Sequence, residues 1–237
     1  MPIARAGGRI ILFAHVPKAG GTSVEAYLAA RFGPLGLIDR RAHAGVRGTG
    51  LITPATHLTA GDLAELAPPR VDHAFAVVRD PLARLLSEHR YQSGVSRLSR
   101  LGLSLWIETV LRAAAAEPRL YENHIRPQGD LVPKGAEVFR LEDGLGAIPP
   151  WLDAVLGEAR PDLVIGHANA RPAAPARLMR ADVTRAAAFY ADDYARFGYA
   201  PPDPAAYPDG PRRPSCARAL ARALVARQRR GWGRPCS

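Results

Sequence analysis

Residues 10–23 read IILFAHVPKAGGTS, and this stretch decides the fold. The apolar run at residues 10–16 predicts a buried strand, and the pair Gly20-Gly21 leads from it into a helical pattern. Glycine lets the backbone turn tightly and approach a ligand closely. Because the first N–H groups of a helix have no intrahelical acceptor, such a strand–turn–helix junction is suited to binding an anion.

The polar side chains of this loop indicate phosphate or sulfate as the anion. Lys18 supplies a positive charge, and Thr22 and Ser23 supply hydroxyl donors. The lysine precedes the glycines, whereas the common nucleotide-triphosphate loop has the order Gly-Lys-Ser/Thr. The loop therefore differs from the usual ATP-binding motif. The structural alternative is a glycine turn before a surface helix, with Lys18 in solvent.

A second motif, RDPLARLLS at residues 79–87, also lies between an apolar run and a helical pattern. This position brings Arg79 to the same carboxyl edge of the predicted sheet as Lys18, and ligands of open α/β sheets bind at that edge. A guanidinium offers a fork of donors to a phosphate, and Ser87 adds a hydroxyl two helical turns later. Two anion sites at one edge indicate a ligand with two anionic ends.

Strands that alternate with helices predict an α/β fold, because parallel strands need helical crossovers. We expect a P-loop-like, three-layer arrangement in which helices flank a central parallel sheet. His15, at the end of the first strand, is expected to pack beneath the glycine loop. The predicted strands are residues 9–15, 74–78, 137–141 and 163–166, and the predicted helices are residues 22–32, 60–66, 82–92, 103–116, 150–156 and 182–197.

Charge and proline content divide the chain near residue 200. Prolines recur from residue 201 to 214, which predicts a linker, so we expect one domain at residues 1–200 and a linker and tail at residues 201–237. The tail, residues 211–237, contains eight arginines and no acidic residue, which leaves +2 of the net charge of +10 for the rest of the chain. Residues 215–230 are predicted to be helical. The tail suits contact with anionic lipid or another polyanion.

Cysteine content and hydropathy limit the remaining classes of protein. The two cysteines, Cys216 and Cys236, both lie in the tail, so neither a core disulfide framework nor a Cys/His metal cluster is expected. No apolar run approaches the ~20 residues that a membrane-spanning helix needs. We therefore expect a protein of the cytoplasm, or one peripheral at a membrane, that needs no metal.

The two anion motifs, taken in order, resemble those of sulfotransferases that use 3′-phosphoadenosine 5′-phosphosulfate (PAPS). The closest likeness in motifs is to the Golgi-type carbohydrate O-sulfotransferases, of which this chain looks like a small, soluble, bacterial-type member. One departure follows Ser87, where relatives carry aromatic residues almost at once and this chain has Glu88-His89-Arg90. Supporting segments are YENHIRPQ at residues 121–128, VFRLED at 138–143 and YADDYARFGY at 190–199.

The resemblance implies a role for each motif residue, with PAPS as co-substrate. Lys18 stabilises the leaving group, and His57, which precedes the Arg-Asp-Pro strand as a histidine does in relatives, is the general base. His124 is the base if His57 is not. The resemblance also assigns the 3′-phosphate to Arg79 and Ser87, and the 5′-phosphosulfate to Lys18, Ala19, Gly20, Gly21, Thr22 and Ser23. A second polar cluster, His124, Arg126 and Gln128, is expected to position the acceptor.

Two other functions fit parts of the sequence. A P-loop-like nucleotide kinase or ATPase shares the strand–loop–helix junction, although the position of Lys18 disfavours it. A non-catalytic polyanion-binding protein would explain the basic tail, without specific recognition of nucleic acid. The carbohydrate acceptor follows from the family likeness alone.

Overall fold

The computed structural model describes residues 1–38, 53–65, 70–95, 101–166 and 176–211. The chain divides into two compact units, each formed by two segments. The first unit comprises Met1–Arg79 and Gln128–Pro172, and the second comprises Asp80–Pro127 and Ala173–Ser237.

The first unit contains a four-stranded sheet with the order β1-β2-β3-β4. β2 pairs in parallel with β3, and β3 with β4, so that Phe75 lies beside Phe13 on one side and Glu137 on the other. The inner strands are apolar because both of their faces are buried. The strands are β1 Ile3–Ala6, β2 Arg9–Ala14, β3 His73–Val78 and β4 Glu137–Arg140.

Strand β1 was not expected from the sequence. It pairs antiparallel with β2, and the two strands are joined through Gly7 and Gly8, both of which have positive φ angles of 52° and 83°. Two consecutive residues with positive φ form the turn that matches the twist of a hairpin. The observed sheet is therefore mostly parallel, with one antiparallel strand at its edge, whereas the sequence predicted a parallel sheet.

The described residues contain seven α-helices. In the first unit, α1 follows the glycine loop, and its buried Val24 and Leu28 belong to the apolar core. In the second unit, α4 begins and ends where its amphipathic pattern predicts. The helices are α1 Gly21–Phe32, α2 Ala60–Glu65, α3 Pro81–Val95, α4 Leu103–Ala116, α5 Ile148–Leu156, α6 Arg180–Phe189 and α7 Ala191–Phe197.

The core of the second unit forms where α3, α4 and α6 meet. Trp106 and Ile107 of α4 are fully buried in it, together with Val183 of α6 and Tyr190 at the end of that helix. Burial of large apolar and aromatic side chains contributes roughly 25 cal/mol for each Å² of apolar surface. The second unit therefore has a core of its own.

The mixed α/β class with a mostly parallel sheet is confirmed, but two predicted elements are wrong. Residues 163–166 are not a strand, because the Leu163 N–H donates to Arg160 O in a turn and Val164 is 81% exposed. The single helix predicted at residues 182–197 is two helices, because Tyr190 between them has non-helical dihedrals, φ −107° and ψ 23°. The helix predicted at residues 215–230 lies outside the described residues.

Candidate active site

The glycine loop presents the first amides of α1 as a group of donors. Gly20 is the N-cap of α1 and has a left-handed conformation, φ 85°, and Lys18 also has a positive φ of 67°. The N–H groups of Ser23 and Val24 donate to Gly20 O. The amides of Gly21 and Thr22 are thus the ones placed to bind an anion at the start of the helix. Thr22 is exposed, whereas Ala19 and Ser23 are buried.

His15 lies directly beneath this loop, as its position in the sequence predicts. A Cβ atom added to Gly21 would lie 2.2 Å from Nε2 of His15, so only glycine fits there without a shift. On the other side of the ring, Nδ1 of His15 pairs with Glu25 Oε1 at 2.5 Å. Glu25 lies one turn into α1, and this contact fixes the ring between the strand and the helix.

His57 lies next to His15. It ends a short 3₁₀ turn, Ala55–His57, whose last N–H donates to Pro54 O at 2.9 Å. Its ring meets the His15 ring edge-on, with the centroids 5.3 Å apart and the planes at 79°. His57, the predicted base, is therefore in contact with His15, which packs beneath the glycine loop.

Arg79 follows β3 and contacts the glycine loop. Its Nη1 donates to the backbone oxygen of Lys18 at 3.2 Å. Both residues belong to the first unit. Arg79 lies directly beyond the carboxyl end of β3, and Lys18 lies in the loop between β2 and α1. The two anion motifs, 61 residues apart in the chain, are thus in direct contact.

Gln128, predicted on the acceptor side, contacts Arg79 rather than open solvent. Its side chain is fully buried. Its Oε1 accepts from the Arg79 N–H at 2.9 Å, and its Nε2 donates to Arg79 O at 2.8 Å. The side-chain amide of Gln128 therefore bonds both the N–H and the carbonyl oxygen of Arg79.

In the second unit, His124 is buried and held by a carboxylate. Its Nδ1 lies 2.8 Å from Oε2 of Glu88, which is 1% exposed, and the other oxygen of Glu88 accepts from Gln92 at 2.6 Å. The ring of Tyr91 covers His124 with the centroids 5.7 Å apart. A histidine whose Nδ1 is fixed by a carboxylate has its ring orientation set, as in many catalytic pairs.

The segment before His124 has an unusual backbone. Tyr121, Glu122 and Asn123 all have positive φ angles, 51°, 56° and 69°, a conformation that costs about 1 kcal/mol or more for each non-glycine residue. Such strain persists only where neighbouring groups enforce it.

Ser87, predicted to bind the 3′-phosphate, is half-buried on α3, in the second unit.

Two buried side chains hold the three carbonyl groups that follow this turn. Arg84, which is 1% exposed, donates to His124 O at 2.9 Å and to Arg126 O at 2.6 Å. Tyr190 donates to Ile125 O at 2.8 Å. Burial raises the pKa of the Tyr190 hydroxyl, so that it stays protonated as a donor. The side chain of Arg126 itself bonds back to Asn123 Oδ1 at 2.9 Å.

Two of the supporting residues, Arg84 and Glu88, lie in or next to the second motif of the sequence. Glu88 marks the point where the chain departs from the aromatic pattern of its relatives, and it is the residue that holds His124. Glu25 resembles an ordinary charged helix residue in sequence, and Arg84, although it belongs to the second motif, was given no role there. Their partners are fixed by the fold.

The model of the sulfotransferase family matches residues 3–122, just over half of the chain. This chain belongs to the sulfotransferase family. The matched part includes the glycine loop, His57, Arg79 and Ser87, and it ends before His124. The likeness in motifs to carbohydrate O-sulfotransferases is consistent with that family. The chain has no significant match among curated proteins or solved structures.

Membership of the family indicates transfer of a sulfuryl group to a hydroxyl-bearing acceptor. Within the described part of this sulfotransferase, no three His, Cys, Asp or Glu side chains are grouped so that they could hold a metal ion. The described helices also include none that is both long and apolar enough to cross a membrane.

Proposed function

We propose that this sulfotransferase transfers a sulfuryl group from PAPS to a hydroxyl group of a carbohydrate. The observation that carries the proposal is the contact between Arg79 Nη1 and Lys18 O at 3.2 Å. PAPS has anionic groups at both its 5′ and its 3′ positions, so its binding requires two positively charged sites close to one another. The contact supports the proposal because it brings the Arg79 guanidinium to the loop that carries Lys18.

The donor-side roles follow the two motifs. The amides of Gly21 and Thr22 and the ammonium group of Lys18 bind the 5′-phosphosulfate, with Ala19, Gly20 and Ser23 completing the loop. The fit is supported by the left-handed Gly20, which turns the chain into α1, and by Gly21, whose missing Cβ lets His15 pack beneath the loop. Arg79 and Ser87 are assigned to the 3′-phosphate by the resemblance.

The reaction is an in-line displacement at sulfur. The bond from sulfur to the acceptor oxygen forms while the bond from sulfur to the phosphate oxygen breaks, and the acceptor proton passes to a general base. Lys18 neutralises the negative charge that develops on the leaving phosphate, and the loop amides orient the transferred group. Removal of one such donor commonly lowers the rate by about 10²–10³.

We assign the general base to His57. Its position beside His15, which packs beneath Gly21, supports a role close to the transferred group. His124 is the second candidate for the base, because Glu88 fixes its Nδ1 in a buried pair. His124 and Arg126 are proposed to position the acceptor, whereas the buried amide of Gln128, predicted for the same role, bonds the Arg79 backbone. The protein is proposed to act in the cytoplasm or at a membrane surface.

The proposal is tested by transfer of radiolabelled sulfate from PAPS to a panel of glycans, lipids and phenols. We expect glycans to be labelled. Lys18→Ala should lower the rate by about 10²–10³, and His57→Ala by about 10²–10⁴. The matched control is Lys134→Ala, because Lys134 is the other lysine of the chain and is exposed outside the site.

Each outcome against the proposal identifies a different error. Full activity of Lys18→Ala would exclude its leaving-group role, and full activity of His57→Ala would move the base to His124. Preference for magnesium-ATP over PAPS in competition binding would support the kinase or ATPase alternative. Absence of transfer to every acceptor, with binding of polyanions retained, would support a non-catalytic protein.

A further inference from the structure

Arg79 lies one residue beyond the end of the sheet ladder. The last pair of β3 and β4 is Val78 with Arg140, so the backbone groups of Arg79 have no strand beside them in that ladder. Gln128 takes this place. Its amide oxygen accepts from Arg79 N–H, and its amide nitrogen donates to Arg79 O. One donor and one acceptor on a side chain thus reproduce the two bonds of a neighbouring strand.

Gln128 is itself held firmly. It begins the 3₁₀ turn Gln128–Asp130, and its backbone oxygen accepts from Leu131 N–H at 2.9 Å and from Val132 N–H at 3.1 Å. Gln128 and Leu131 are fully buried and Val132 nearly so. A buried side chain on a fixed turn has little rotational freedom left, so its amide is a rigid support for the residue that it holds.

The support matters because of what the Arg79 side chain does. Its guanidinium donates through Nη1 to Lys18 O, and it is half-buried. A guanidinium has five N–H donors in a planar fork, so its use on a phosphate depends on the direction from which it approaches. A rotation of the Arg79 peptide would move the whole fork, since the side chain begins at the held backbone.

We propose that Gln128 is a positioning residue for Arg79, and that it sets the selectivity of the donor site for a nucleotide with a 3′-phosphate. This inference rests on the proposed function, since it assumes that Arg79 binds that phosphate. It gives Gln128 a role on the donor side, through the Arg79 backbone, in place of direct contact with the acceptor. Without the Gln128 amide, the Arg79 guanidinium is still present, but its donors no longer point toward the 3′-phosphate.

The experiment compares two nucleotides that differ only in the 3′-phosphate. Isothermal titration calorimetry gives the Kd of adenosine 3′,5′-diphosphate and of adenosine 5′-phosphate for the wild type, Gln128→Ala and Gln128→Met. We expect both variants to lose about 10- to 100-fold in affinity for the diphosphate, a size of effect that small misplacements produce. Affinity for the monophosphate should change much less. The Kd of the monophosphate divided by the Kd of the diphosphate therefore falls toward one.

This ratio separates positioning from general loss of structure. A variant that merely loosens the fold weakens the binding of both nucleotides equally and leaves the ratio of their Kd values unchanged. Gln128→Met keeps a buried side chain of similar length without hydrogen bonds, so it tests the same point if Gln128→Ala is too unstable. The matched control is Thr109→Val, which removes another buried side-chain hydrogen bond to a backbone oxygen, that of Leu105 on α4, and is expected to keep the wild-type ratio.

The inference and the proposed function fail in different ways. If the wild type binds the two nucleotides equally, the 3′-phosphate site itself is wrong, and the proposed function loses its main support. If the wild type prefers the diphosphate and folded Gln128→Met keeps that preference, the role of Gln128 is overturned while the proposed function stands. A lowered ratio in Gln128→Met, with the control unchanged, supports the inference.

Discussion

Gly21 is the position at which the loop, the helix and His15 leave no space for a side chain. Its missing Cβ would lie 2.2 Å from His15 Nε2, and the ring cannot retreat freely because Nδ1 is held by Glu25. We therefore expect Gly21→Ala to lower the free energy of unfolding by about 1–3 kcal/mol, as overpacking does. It should also weaken binding of adenosine 3′,5′-diphosphate, because α1 begins at this residue. Chemical denaturation and calorimetry measure the two effects.

The control for this substitution is Gly146→Ala. A Cβ at Gly146 meets nothing within 4 Å, so the same change of residue should leave stability and nucleotide affinity near those of the wild type. A second test introduces Gly21→Ala into His15→Ala, where the ring is gone. If the clash is the cause, the cost of Gly21→Ala is smaller in that background. Equal costs in both backgrounds would contradict it.

Helix α3 carries a buried polar stripe that holds His124 and the carbonyl groups of His124 and Arg126. Arg84, Glu88 and Gln92 follow at intervals of four residues, and each is 1% exposed. Arg84 binds two carbonyl groups at once, which lysine cannot do with the same geometry. We expect Arg84→Lys to lower the free energy of unfolding by about 1.5–3 kcal/mol, the range for one lost hydrogen bond to a charged group.

The comparison for Arg84→Lys is Arg185→Lys. Arg185 lies on α6 with its side chain 39% exposed, and its carboxylate contacts are long, at 3.9 Å. Exposed substitutions of this kind change stability by within about 0.5 kcal/mol. Urea denaturation of the two variants gives the difference directly. If Arg84→Lys is as stable as Arg185→Lys, the two carbonyl contacts do not hold residues 124–126 in solution.

The sequence predicted elements best where burial follows a simple period. Helix α4 has its apolar residues on one face, and its limits were predicted to the residue. The hairpin of β1 was missed although Gly7-Gly8 is a typical turn signal, since the strand before it is short and contains Arg5. The break at Tyr190 was missed because helical periodicity continues across it, while the tyrosine is fixed by its bond to Ile125 O.

The candidate site was predictable in its motifs but not in its supporting contacts. The glycine loop and Arg79 were predicted to share one edge, because strand order and loop position suffice for that inference. The contacts of Gln128 with Arg79 and of Glu88 with His124 join residues 49 and 36 positions apart. Charged and amide side chains are expected at the surface, so sequence patterns give no reason to bury them.

The stability of the molecule should depend on pH through His89. Burial lowers the pKa of this histidine below its ordinary value, and its ring packs edge-on against Trp106. Below about pH 6.5 the unfolded chain therefore takes up a proton that the folded chain does not, and stability falls as the pH drops. We expect His89→Gln, which has no titrating group, to lose less stability between pH 7 and pH 5 than the wild type does.

Urea denaturation at pH 5, 6 and 7 measures this difference. The m value must stay constant among the samples, so that the free energies refer to the same unfolding transition. If wild type and His89→Gln lose equal stability between pH 7 and pH 5, a group other than His89 causes the loss of stability in acid.

The uneven charge of the chain predicts attachment of the tail to anionic surfaces. Residues 212–237 contain eight arginines and no acidic residue, and without them the net charge falls from +10 to +2. Each arginine near an anionic membrane contributes about 1 kcal/mol at most, and salt screens the attraction. We expect the chain to bind vesicles that contain phosphatidylserine, more weakly as salt rises, and to ignore neutral phosphatidylcholine vesicles.

The decisive variant replaces the eight tail arginines by glutamine, which keeps the length of the chain and removes only the charge. Vesicle co-sedimentation should then fall by at least about tenfold, because the remaining charge is close to balanced. Affinity for adenosine 3′,5′-diphosphate should stay at the wild-type value, since the donor residues lie within residues 18–87. Retained vesicle binding by the glutamine variant would place the membrane contact elsewhere, and loss of nucleotide affinity would show that the arginines contribute to the donor site.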